Sequence, residues 1–169
     1  ITNGVHVQTW QNSSIRKAFE NGTDLWEPHM TAKNRLINYI KEKNKVSFEP
    51  KILTIGFARR AAAYKRGELI FKRMDILGPL LEQGQIQLVY SGKAHPNDHT
   101  GKKIIQEIVN ISKEYPEKIV FLENYDMEIA KLMVQGCDTW LNNPLRPMEA
   151  SGTSGMKAAL NGVLNISVI

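Results

Sequence analysis

Glu149 and Lys157 stand eight residues apart, separated by a run of small residues, Ala150-Ser151-Gly152-Thr153-Ser154-Gly155. Small residues opening a helix leave backbone N–H groups unshielded, and the helix dipole adds positive potential, so an anionic group such as phosphate can dock there. Lys157 lies about one turn into the helix that Met156-Lys157-Ala158-Ala159-Leu160 begins, which puts an amine within reach of such a ligand. A carboxylate thus precedes the loop and an amine follows it. A Gly/Ser run with a solvated lysine is also an ordinary loop, so this motif alone decides nothing. A second chemical cluster is Arg59, Arg60, Lys65 and Arg66, set around three alanines. Arginine suits bidentate phosphate recognition and lysine a point-charge contact. In isolation the cluster is better read as the basic start of a surface helix.

Both clusters follow stretches that read as strands. Residues 51–57, KILTIGF, form a β-branched apolar run that ends just before Arg59, and residues 137–141 form another that ends just before the stiff loop Asn142-Asn143-Pro144 and Arg146-Pro147. Further strands are expected at 86–90, 118–122 and 163–168, the last read as buried. Helical periodicity marks 31–44, 66–83 with a break at Gly78-Pro79, 100–115, 127–135 and the Lys157 segment. Residues 1–10 read as a loop-like lead-in with a turn at Asn3-Gly4, and 12–28 as irregular and polar with Trp26 as an anchor. Strands alternating with helices predict an α/β fold, a Rossmann-like parallel sheet with helices on both faces. In such sheets ligands bind beyond the carboxyl ends of the strands, where both clusters would sit. The Gly-x-Gly-x-x-Gly fingerprint does not follow the first strand, which argues against a dinucleotide oxidoreductase.

The string EASGTSGMKAALNG resembles the signature of the α-glucan phosphorylases, the glycogen, starch and maltodextrin phosphorylases. Thr2-Asn3-Gly4-Val5-His6, Ala63-Tyr64-Lys65-Arg66, Ser91-Gly92-Lys93-Ala94-His95-Pro96 and Phe121-Leu122-Glu123-Asn124-Tyr125 resemble further motifs of that family in the same order. The wording of the Ala63, Ser91 and Lys157 motifs is nearer to the shorter bacterial and archaeal-type enzymes than to the animal ones; Ser154-Gly155 stands where animal enzymes commonly have Gly-Asn.

The resemblance implies pyridoxal 5'-phosphate held covalently as a Schiff base on Lys157. It places Trp10, Arg59, Tyr125, Gly152, Thr153 and Ser154 around that cofactor, and Arg60 and Lys65 on the substrate phosphate. Asn3, Glu149, Ala150, Ser151 and Gly152 would then bind the sugar. It further implies α-1,4-glucan and inorganic phosphate as substrates, with retention at the sugar and the cofactor phosphate as proton relay. The architecture would be part of the second lobe of a two-lobed GT-B type glycosyltransferase. Residues 1–50 would lead into the lobe, residues 51–169 would form it, and the N-terminal lobe would belong to the same longer chain, whose parent could form a homodimer. On this reading both ends are cut and the isolated piece is inactive. The competing readings are a retaining nucleotide-sugar glycosyltransferase, which tends to carry a glutamate where Lys157 stands, and a non-catalytic sugar- or phosphate-binding module.

Composition is that of an ordinary globular domain, 42% hydrophobic and 23% charged over 169 residues. The net charge of +5 is spread along helical patterns without interleaved aromatics, so no nucleic-acid partner is expected. The single cysteine, Cys137, and the lack of an apolar stretch near ~20 residues point to the cytoplasm and away from a membrane. His95 and His99 have a metal-like spacing, but Pro96-Asn97 interrupts the helix that would align them and no third ligand is evident, so no metal is expected.

Overall fold

The computed structural model describes residues 3–168; Ile1, Thr2 and Ile169 lie outside them, so Thr2 of the first motif is not placed. A parallel sheet is formed by β1 (Leu53–Ala58), β2 (Ile86–Ser91), β3 (Ile119–Leu122), β4 (Thr139–Asn142) and β5 (Leu164–Ser167). The strand order is β3-β2-β1-β4-β5, with every pairing parallel. The chain therefore steps outward from β1 to β3, then returns to the other side of β1 to lay down β4 and β5. The reversal leaves a switch point between β1 and β4, the place where open sheets of this kind bind their ligands.

Helices cover both faces, as the alternation of strands and helices predicts. On one face α3 (Trp26–Asn44), α6 (Met127–Gly136) and α7 (Thr153–Ala159) pack through Leu36, Ile40, Met133 and Ala158 against Val89, Val120 and Trp140. On the other, α4 (Met74–Glu82) and α5 (His99–Glu114) pack through Leu77, Leu81, Ile104 and Ile108 against Phe57, Leu88, Tyr90 and Leu141. Neighbours such as Leu88 and Val89 enter opposite cores because strand side chains alternate. Gly56 is buried in β1 beside Trp140 of β4; a Cβ there would lie 2.5 Å from Cys137 Sγ and 3.0 Å from the indole. The glycine thus makes room for the ring.

The structure departs from the sequence expectations in five places. Residues 12–28 are not irregular: α2 (Ser13–Glu20) is capped by Asn12, whose side chain accepts from Ser14 N and Ile15 N, and it buries Ile15 and Ala18. The lead-in contains a single helical turn, α1 (Val7–Trp10). Trp26 is 61% exposed and is no anchor; it starts α3, five residues earlier than expected, because Pro28 is tolerated in a first helical turn. The segment after Arg66 is not broken at Gly78-Pro79. It breaks at Arg73, between a 3₁₀ stretch (Leu69–Arg73) and α4, which runs through Pro79. Pro79 forgoes one backbone bond, and the burial of Leu77 and Leu81 on the same helix offsets that loss. Finally, β5 is an exposed edge strand, with Leu164 69% accessible. It pairs only with β4, and while Asn165 faces α7, Leu164 and Ile166 point to the side that no described helix covers. Among the described residues no helix is long and apolar enough to cross a membrane, and no group of His, Cys, Asp or Glu assembles that could hold a metal ion.

Candidate functional site

The loops after β1 and β4 meet at the switch point. Each is fixed by bonds to its neighbours before any side chain does chemistry. Arg59 N donates to Ser91 O at 3.3 Å and Ala61 N to Lys93 O at 2.9 Å, so the loop after β1 keeps in step with the loop after β2. That approach demands Gly92, since a Cβ there would lie 2.2 Å from Arg59 O. Ala61 makes a similar approach to Gly101 of α5. The two glycines that face this loop, Gly92 and Gly101, therefore allow the chain segments to pack closely.

Arg66, one of the four cations expected to face a ligand, is a staple between the loops. In a left-handed conformation (φ 51°), it donates from Nε to Asn143 O at 2.7 Å and from Nη2 to Pro144 O at 3.0 Å. Asn143 Nδ2 returns a bond to Arg66 O at 3.1 Å, and Leu145 N donates to Tyr64 O at 2.7 Å. This reciprocal pair was not identified from sequence, where Asn143 read only as part of a stiff loop.

Within the frame, Arg59 is 7% exposed and reaches across to the β4 side. Its Nε and Nη2 donate to Ser154 Oγ at 3.3 and 3.2 Å, and Nη1 and Nη2 to the two Glu149 oxygens at 3.4 Å each. Lys65 Nζ donates to Glu149 Oε2, so one carboxylate is shared by two cations. Burial pushes the Arg59 guanidinium below its ordinary value while Glu149 opposes the shift; an arginine remains charged near neutral pH all the same. Tyr125 is partly buried against the α3–α6 core; burial pushes its hydroxyl up, and the nearby Arg59 charge pulls the other way.

Ser154 and Lys157 lie three residues apart on α7 and therefore share a face. Gly152 caps the helix in the left-handed region (φ 57°), and Gly155 lets it pack on β5, where a Cβ would meet Asn165 Oδ1 at 2.7 Å. Trp140, not singled out from sequence, holds Ser154 from below by donating Nε1–H to its Oγ at 3.2 Å. The Lys157 amine sits 3.7 Å from the centre of the Trp10 ring, and desolvation pushes its pKa down from the ordinary lysine value. A covered amine with a lowered pKa has more of the neutral form that condenses with a carbonyl. With α7 only two turns long, an anion here depends chiefly on side-chain cations.

The structure thus brings Arg59, Lys65, Glu149 and Ser154 into one cluster, sets Lys157 on the same helix face as Ser154, and covers it with Trp10. Ser151 and Gly152 lie in the loop that leads into α7 and Thr153 begins the helix, all three half-buried, and Ala150 is exposed. Arg60 and Asn3 are exposed and stand outside the buried ion cluster; Arg60 Nη2 donates to Tyr64 Oη at 3.4 Å.

Comparison with known proteins gives a consistent result. The family model described as carbohydrate phosphorylase matches residues 9–169. The chain is similar to a glycogen phosphorylase of Aquifex aeolicus, at 38% identity over 100% of this chain and 31% of that protein. It is 41% identical to a maltodextrin phosphorylase of Thermococcus litoralis, over 99% of this chain and 25% of the relative. With a glycogen phosphorylase of Mycobacterium tuberculosis it shares 38% identity, over 99% and 24%. The chain therefore spans between 24% and 31% of the length of these curated relatives.

Proposed function

Because the chain belongs to the carbohydrate phosphorylase family, we propose that it forms the cofactor- and phosphate-holding part of an α-1,4-glucan phosphorylase, the second lobe of a GT-B type enzyme. The reaction breaks the terminal glycosidic C–O bond, joins C1 to an oxygen of inorganic phosphate with retention, and returns a proton to the departing sugar hydroxyl.

The observation that carries this reading is the placement of Lys157. Its amine is covered by Trp10 and shares a helix face with Ser154, whose hydroxyl already accepts from Arg59. These residues fit pyridoxal phosphate: Lys157 Nζ would hold the pyridoxal carbon, Trp10 and Tyr125 would border it, and Arg59, Ser154, Thr153 and Gly152 would hold its phosphate. When bound, the group supplies a second phosphate that exchanges a proton with the first.

Lys65 and Arg60 hold inorganic phosphate next to it. Two unit charges 4 Å apart repel by about 4 kcal/mol at an effective dielectric constant near 20, so two phosphates need clustered cations beside them. Arg59 and Lys65 supply two positive charges against the one negative charge of Glu149, and Arg60, exposed on the same loop and outside the ion cluster, adds a third. Glu149, Ala150, Ser151 and Asn3 are left to meet the sugar hydroxyls, with Glu149 exchanging its cations for those hydroxyls as phosphate enters.

The experiment is borohydride trapping of the full protein after exposure to pyridoxal phosphate, followed by peptide mass mapping. A pyridoxyl mass on Lys157 and release of glucose 1-phosphate from maltodextrin and phosphate are the expected results. A label confined to other lysines of folded protein would overturn the assignment.

A further inference from the structure

Asn161 lies just beyond α7 and is 1% exposed. A buried primary amide is costly unless its donors and acceptor are used. Here all are used: Nδ2 donates to Lys157 O at 2.8 Å and to Trp10 O at 3.0 Å, and Oδ1 accepts from Asn12 N at 2.7 Å. The two carbonyls it bridges belong to the same two residues whose side chains meet, the indole of Trp10 and the amine of Lys157. Nearby amides reinforce the tie. Gln135 Nε2 donates to Trp10 O at 3.1 Å, and Gln11 Nε2 to Leu160 O at 2.9 Å.

We propose that Asn161 is a positioning residue: one buried side chain locks the backbone of Trp10 to that of Lys157 and so sets how closely the indole covers the amine. Capping the end of α7 would need only the bond to Lys157 O. The bonds to Trp10 O and Asn12 N, which span 151 and 149 residues of sequence, add nothing to a cap and hold α1 against the lysine helix. An aromatic ring tied to the neighbouring chain by a rotatable side chain alone would sample several positions. A ring whose own backbone is bonded to the lysine's backbone is held over one side of the amine, which leaves the other side for whatever the amine carries. The proposal rests on the reading of Lys157 as the functional lysine, but its test does not depend on the cofactor.

The test is the rate at which Lys157 is trinitrophenylated in the full protein, followed by peptide mapping and normalised to an exposed lysine. Asn161→Asp keeps the acceptor for Asn12 N but turns a carboxylate toward two carbonyls. It should raise the Lys157 rate by on the order of tenfold, the scale set by the loss of two hydrogen bonds. Gln135→Met, which removes the second donor to Trp10 O together with the long contact that Gln135 Oε1 accepts from Asn12 Nδ2 at 3.5 Å, should raise it by about twofold to fivefold. On a Trp10→Ala background, where the amine is already uncovered, Asn161→Asp should add nothing further. A lowered Tm with unchanged Lys157 labelling would reduce Asn161 to a stability element and overturn the proposal. So would an undiminished Asn161→Asp effect on the Trp10→Ala background. If Asn161→Asp does not fold, Gln135→Met decides alone: unchanged labelling overturns the proposal. Borohydride trapping on the same proteins keeps the two readings apart. Failure of wild-type Lys157 to take pyridoxal would remove the proposed function and leave the labelling result standing.

Discussion

Two ion clusters lie at opposite ends of the same sheet. At the amino ends of the strands, Lys33 Nζ donates to Asp138 Oδ2 at 2.6 Å and to Ile52 O at 2.7 Å, Thr54 N donates to the same carboxylate oxygen at 2.6 Å, and His29 Nε2 lies 2.7 Å from the other. At the carboxyl ends, Arg59 meets Glu149 and Ser154 only at 3.2–3.4 Å, and Lys65 competes for the same carboxylate. The first cluster has its oxygens and ammonium matched at short range, with the charges of Lys33 and Asp138 balanced. The second has an excess of positive donors. Buried ions matched at short range serve to hold chain segments together, whereas an excess of one sign marks a place where a ligand of the other sign is expected.

Asp138→Ala should have the largest effect at either end of the sheet. It leaves Lys33, 2% exposed, without its counter-ion, and removes the acceptor for Thr54 N. Breaking a buried pair from one side should cost about 3–5 kcal/mol in denaturant unfolding, and added phosphate should not restore it. The same carboxylate predicts a pH effect. Burial alone would raise the Asp138 pKa, but hydrogen bonds from His29, Lys33 and Thr54 N outweigh it and hold the pKa below its ordinary value. A depressed folded pKa gives stability that is present above the unfolded value, near 3.9, and lost as pH falls through the folded one. Acid unfolding of the wild type should therefore show a component below about pH 4 that Asp138→Asn lacks.

A second break lies between the two ends. Gly56→Ala would drive a methyl group to 2.5 Å from Cys137 Sγ and 3.0 Å from the Trp140 ring. Overpacking of this kind costs about 1–3 kcal/mol. Because Trp140 Nε1 holds Ser154, the displacement should also weaken phosphate binding at the proposed site, whereas the cluster around Asp138 should keep its acid component. Equal losses at both ends would show that the sheet does not separate them.

All five strands, and the helices between them, were readable from apolar runs and periodicity, because each is a local pattern. The strand order was not, since a switch point between β1 and β4 arises from pairings across the chain. The α2 helix had a legible signal in Asn12 followed by Ile15 and Ala18, which its polar surroundings masked. Lys33 could also have been noticed: it falls on the same stripe as Leu36, Ile37 and Ile40, so its burial was written in the spacing. At the site, Arg59, Lys65, Glu149, Ser154 and Lys157 were conspicuous by type. Of the residues that hold them, Asn143, Trp140 and Asn161 were not, and Arg66 stood out as a cation for a ligand and not as the staple it is. Their work is done by hydrogen bonds to distant backbone or hydroxyl groups, which leave no local mark on an ordinary polar residue.

Glu149→Gln probes the carboxyl-end cluster in the same way. This variant also removes a carboxylate from buried cations, yet the outcome should differ in kind from Asp138→Ala. Its bonds to Arg59 are long, its side chain is partly accessible and glutamine keeps an acceptor oxygen for the close contact from Lys65, so the loss of stability should be smaller, about 1–2 kcal/mol. Arg59 and Lys65 then face each other without a balancing charge, which favours any anion that can take the carboxylate's place. Inorganic phosphate, titrated by calorimetry, should bind on the order of tenfold more tightly than to the wild type, because it no longer competes with Glu149 for the same donors. Binding to the folded state alone also stabilises by mass action, about 2.7 kcal/mol at a hundred times Kd, so saturating phosphate should return Glu149→Gln to wild-type stability or above. Weaker phosphate binding in Glu149→Gln would mean that Glu149 orients the two cations for the anion, and the functional end of the sheet would then be built on the same principle as the structural one.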